Sequence, residues 1–81
     1  MAVRIKNVEN GSKADAAGIS SGEYLYRING RDIIDVIDYS YFSADEKLVL
    51  TIGAPDGKLR EVLIKNADYA PLGLEFETYL M

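Results

Sequence analysis

Tight-turn signals divide this 81-residue chain into short segments, most of them alternating apolar and polar residues. Asn10-Gly11, Asn29-Gly30 and Pro55-Asp56-Gly57 are the clearest breaks. Asn and Gly tolerate positive φ, and proline pre-sets the φ that a turn requires. Strands joined this way pair with their chain neighbours. The expected fold class is therefore mostly β with two short helices (α+β), a partly open antiparallel β-barrel whose helices cover its openings.

Val3 and Ile5 alternate with Arg4 and Lys6, which predicts a half-buried strand over 2–8. Ser12 is a good N-cap for a short helix over 13–17, and Gly18 supplies the left-handed residue after it. Further strands are expected over 23–28, 31–33, 47–53, 58–65 and 72–79, with a loop over 66–71. Asp35 caps a second helix over 36–44. There Ile37 and Tyr41 share one face, and Asp38 and Phe42 an adjacent one.

Composition narrows the chemistry. The formal charge is −4, from 9 basic and 13 acidic residues. A nucleic-acid partner would need a basic face, so none is expected. With no Cys and no His, Cys/His zinc sites, thiol nucleophiles and imidazole bases are excluded. No catalytic residue and no metal ligand is expected. Asp45 and Glu46 read as a loop feature, and Asp35 and Asp38 lack any neighbouring nucleophile. The chain carries no apolar run of membrane-spanning length and no signal-peptide core near Met1, so a cytoplasmic domain without a membrane span is expected. Residues 1–81 read as one domain. The apolar ending at Leu80-Met81 suggests a piece of a longer protein.

The stretch Gly11-Ser12-Lys13-Ala14-Asp15-Ala16-Ala17-Gly18-Ile19-Ser20-Ser21-Gly22-Glu23, followed by Leu25, Ile28-Asn29-Gly30 and Ile33, resembles a PDZ domain. The small alanines let a short helix pack close to a sheet, and the carboxylate after Gly22 can accept backbone N–H groups. Glu23 stands where the family usually has Asp. Glu61 to Lys65, a loop, and Pro71-Leu72-Gly73-Leu74-Glu75-Phe76 are similar to the first strand and Gly-Leu-Gly-Phe loop that open an animal PDZ domain. Here they come last, so the resemblance implies a circularly permuted order. Taken with Asp35-Val36-Ile37-Asp38-Tyr39 and Ser43-Ala44-Asp45-Glu46, these motifs look like the PDZ module that leads a family of bacterial radical-SAM-like iron–sulfur oxidoreductases. In that family a cysteine cluster follows the module. The present chain holds no such cluster and no cofactor is expected in it.

The resemblance implies a peptide-binding module. An extended segment or a protein C-terminus would add a strand to an open sheet edge. The amides of Leu72, Gly73 and Leu74 would receive the ligand carboxylate. Phe76 would extend the pocket wall, and Asp38 and Phe42 would face it from the helix. Asp38 would favour a donor or a cation on the ligand, since the chain lacks the His common at that position. Lys65 precedes the loop at a longer offset than usual for a basic residue there. Two other readings of these residues stay open. Leu72, Leu74 and Phe76 also fit a sheet core, and Asp38 also fits a solvated helix position. The biological role implied is to regulate or position an attached iron–sulfur domain. The alternative is a docking domain whose groove is filled by its own longer chain.

Overall fold

A computed structural model describes residues 2–77. The elements in order are β1 (Val3–Val8), α1 (Lys13–Ala16), β2 (Tyr24–Ile28), β3 (Arg31–Asp32), α2 (Val36–Phe42), β4 (Lys47–Gly53), β5 (Leu59–Lys65) and β6 (Leu74–Phe76). The sheet runs β5-β4-β2-β1-β6, with β3 paired to β2. Every pairing is antiparallel. The fold is thus mostly β with two short helices, an open sheet that curves toward a barrel, as its turn signals predict. Turn positions match closely. Asn29 and Gly30 adopt φ 52° and 79°, the left-handed pair that lets β2 return directly as β3.

Alternation decides which side of each strand is buried. Ile5, Leu25, Ile28, Leu48, Leu50 and Ile52 have no exposed surface and form the centre of the core. Ala14, from α1, is equally buried, and the absence of a larger side chain there lets the four-residue helix approach the sheet. That helix is closed at both ends. The Ser12 hydroxyl accepts from the Asp15 N–H at 3.1 Å while the Asp15 carboxylate accepts from the Gly11 N–H at 2.9 Å. At its far end the Ile19 N–H reaches the Ala14 carbonyl, past Gly18 at φ 85°.

The observed bounds differ from the expected ones at two places that matter. The second helix stops at Phe42, where Ser43 forms its C-cap, rather than at 44. The last strand covers Leu74–Phe76 rather than 72–79. Leu72 and Gly73 belong to the preceding loop, and the expected strand end at 78–79 lies outside the described residues. A bulge in β1 between Ile5 and Asn7 adjusts β6 to the sheet.

Glu23 falls just before β2 and is buried. As its place after Gly22 suggested, its carboxylate accepts a backbone N–H, that of Ser20 at 2.8 Å. It also pairs with Arg60 on β5, whose guanidinium continues to the Gly18 carbonyl at 3.0 Å. One ion pair therefore pins the turn after α1 to the opposite end of the sheet. The Arg60 hydrogen bond holds the Glu23 carboxyl below its ordinary value of 4.5, against burial, which pushes it up. Its folded-state pKa lies below the unfolded one. Its contribution is present above the ordinary value and lost as pH falls through the folded-state value. Urea unfolding of Glu23→Gln at neutral pH should show a loss of about 1–3 kcal/mol. The deficit should shrink in acid; an equal deficit at both pH values would refute this role.

Candidate functional site

The loop between β5 and β6 is built on Asn66. Asn66 continues the inward phase of Val62 and Ile64, so its amide side chain enters the core rim, where it is 2% exposed. A buried amide must be fully hydrogen-bonded. Its Nδ2 donates to the Ala70 carbonyl at 3.0 Å, and its Oδ1 accepts from the Lys13 ammonium. Its backbone N–H donates to the Glu46 carbonyl, and its carbonyl accepts from the Tyr69 N–H at 3.0 Å. Lys13 also pairs with Asp68, and that hydrogen bond holds the Asp68 carboxyl below the usual carboxylate range. Tyr69 turns the chain at φ 54°. The charge of Glu46, which accepts from its hydroxyl at 3.3 Å, pushes the phenol up.

Beyond Pro71 the peptide units take a consistent direction. The Leu72 carbonyl accepts from the Ala14 N–H at 3.0 Å, and the Gly73 carbonyl from the Glu9 N–H at 2.9 Å. No peptide is cis. In a trans peptide the N–H points opposite to the C=O. The N–H groups of Gly73 and Leu74 therefore point away from α1 and β1, outward. Neither they nor the Leu72 N–H appear as donors in any turn, loop or side-chain hydrogen bond among the described residues. The alternation continues along β6. Glu9 to Gly73 and Glu77 to Arg4 bracket the ladder, so Leu74 and Phe76 occupy its non-hydrogen-bonded positions and present their backbone groups to the open edge.

Gly73 is required at this point. Its φ is 89°, and a Cβ on it would lie only 2.5 Å from the Ser12 hydroxyl and 3.3 Å from the Glu9 side chain. The same glycine frees two amides and lets the loop touch the cap of α1.

The open edge faces α2 across a groove of about 740 Å³. Its walls are Leu72, Gly73 and Leu74 on one side and Tyr39, Ser40 and Ser43 on the other, and Ala70 and Pro71 also line it. Tyr39 leans on Phe76 edge-on, with ring centroids 4.7 Å apart, and so ties β6 to α2. Burial pushes its phenol up to about 12. The structure thus brings Leu72, Gly73, Leu74 and Phe76 to one place, beside α2. Leu72 is at the same time a core residue, 2% exposed, and Leu74 and Phe76 pack partly against the core.

It does not bring Asp38 and Phe42 there. The Asp38 carboxylate turns back to accept the Ile34 N–H at 3.0 Å, while its own N–H is capped by Asp35. Phe42 packs on the core from the other flank of α2, under the Arg31 guanidinium at 5.2 Å, and lines a separate hollow with Ile28, Asn29 and Tyr41. Lys65 also lies outside the groove lining. Sequence reasoning missed Tyr39, Ser40 and Ser43. Their i, i+1, i+4 spacing continues the inward phase of Val36, a residue that packs on the core.

The charged residues lining the groove are Glu9 and Glu75. Among the described residues no cluster of three His, Cys, Asp or Glu side chains could hold a metal ion, and no helix is long and apolar enough to cross a membrane. No protein-family model matches this chain, and neither does any curated protein.

The contact between Gly73 and Ser12 makes substitution there a stability experiment. Gly73→Val adds a left-handed β-branched residue and an overlap with the α1 cap. A loss of at least about 2 kcal/mol is expected in thermal or urea unfolding. Wild-type stability would show that the loop relaxes and that glycine is not needed.

Proposed function

We propose that this chain is a peptide-binding module of the PDZ type, which accepts an extended segment or a protein C-terminus as an added strand along β6. The observation that carries this reading is the pair of outward amides at Gly73 and Leu74, two residues that line a groove beside an open sheet edge. Two adjacent N–H groups pointing one way bind a carboxylate. The backbone groups of Leu74 and Phe76 supply ladder positions for the incoming strand. Because Glu9 and Glu75 rim the groove, ligands with Lys or Arg near the terminus are favoured, modestly and less so at high salt. Ladder bonds at about 1 kcal/mol each and one buried side chain, set against ordering costs, give micromolar or weaker affinity.

Through its resemblance to the leading module of radical-SAM-like iron–sulfur proteins, the reading extends to a cytoplasmic bacterial setting. There the module would regulate or position an attached iron–sulfur domain and contribute recognition rather than catalysis.

The test removes one donor without touching a side chain. Semisynthesis replaces the Leu74 amide N–H by an ester oxygen, and C-terminal peptides with basic penultimate residues are titrated by fluorescence polarisation. Binding should weaken about ten-fold, the effect of losing a charge-assisted hydrogen bond. Unfolding should change by no more than about 1 kcal/mol, because that N–H has no partner inside the fold and the Gly73 carbonyl, now an ester, still accepts from the Glu9 N–H, only more weakly. If peptides with free and amidated C-termini bind equally, or none binds at millimolar concentration, the carboxylate-capturing reading fails.

A further inference from the structure

The strand at the other end of the sheet, β5, has an open edge of its own. The bonds flanking the β4–β5 ladder set its phase. The Asn66 N–H reaches Glu46, and the Ala54 N–H reaches the Lys58 carbonyl. With Lys65 opposite Lys47 and Leu59 opposite Gly53, the backbone groups of Leu59, Glu61, Leu63 and Lys65 point away from β4. The side chains of these four residues lie on the face turned from the core. Leu59 and Leu63 are 51% and 57% exposed. The edge is thus apolar and hydrogen-bonding at the same positions. Natural sheets avoid that combination on an edge left in water.

One further contact is out of balance. Lys65 stands directly opposite Lys47, and neither lysine nor Glu61 belongs to an ion pair among the described residues. Like charges at facing positions destabilise a ladder.

We propose that β5 pairs with β5 of a second copy of this chain, antiparallel about a twofold axis at Leu63. In that register Leu63 meets Leu63 of the other copy. The row Val49–Leu63, already formed across the β4–β5 ladder, then continues without a break into the second molecule. Glu61 meets Lys65 of the second copy, and Lys65 meets its Glu61. Each Lys47–Lys65 pair thereby gains a carboxylate. Moving the axis to Glu61 would oppose two carboxylates. Moving it to Val62 would oppose Glu61 to leucine and Leu59 to lysine. Charge complementarity selects the Leu63 axis. The interface is a single strand pair, so the association is weak and reversible. The strand that a peptide would join, β6, lies at the opposite end of the strand order, so this inference stands apart from the peptide-binding one.

Sedimentation equilibrium of the full chain tests it. Between about 10 µM and about 1 mM the average mass should climb toward twice that of one chain, as expected for a small interface. Glu61→Lys places lysine opposite lysine twice and should weaken association about ten-fold; adding Lys65→Glu restores complementary pairs and should return it to near the wild-type value. Leu63→Lys, at an exposed position, should leave a folded monomer. A mass that stays monomeric across the range overturns the proposal. So does a double variant that associates no better than Glu61→Lys alone.

Discussion

The buried amide of Asn66 organises the functional end of the molecule. It cannot leave the core rim without stranding its donors and acceptor, and its partners come from α1, the residue before β4 and the loop itself. The path of residues 67–71 follows from those bonds. Once Ala70 is fixed, Leu72 drops into the core and its carbonyl meets α1. The outward direction of the next two amides is a geometric consequence, because a planar trans peptide leaves its N–H no other choice. A polar residue that binds nothing outside the protein therefore sets the orientation of the groups that would.

The fold was legible because its signals are local. Asn29-Gly30 and Pro55-Asp56-Gly57 each force a reversal, and strands that alternate on both sides of a reversal have one register that buries their apolar faces. Ser12 and Asp35 both serve as the caps their positions suggested. The exception is instructive. Leu72, Leu74 and Phe76 alternate as a strand should, yet Gly73 at φ 89° breaks the ladder between the first two. Leu72 is buried through a loop contact with α1, a long-range effect that period-two patterning does not carry.

The candidate site was half legible. The strand wall is written in the run Leu72 to Phe76, and the structure assembles it. The helix wall is not. Val36, Ile37, Tyr39, Tyr41 and Phe42 are apolar or aromatic almost all round α2, so periodicity does not choose the buried face. Docking chooses it, turning Val36, Tyr39 and Phe42 inward and leaving Ile37 and Tyr41 more than 70% exposed. Asp38 has the polarity of a selecting residue but the spacing of a capping one, three after Asp35, and the cap wins. Asn66 did carry a signal. It continues the inward phase of Val62 and Ile64, which marks it as buried.

The short final strand gives the edge two chemical timescales. In β6 and the residue after it, the amides of Glu75 and Glu77 face β1, while those of Leu74 and Phe76 face out. Deuterium from solvent would then label every second residue quickly and its neighbours slowly, in a four-residue alternating ladder. Occupation of the edge by any strand, from whatever source, would erase the alternation. The molecule thus carries a built-in isotopic reporter of whether its groove is empty.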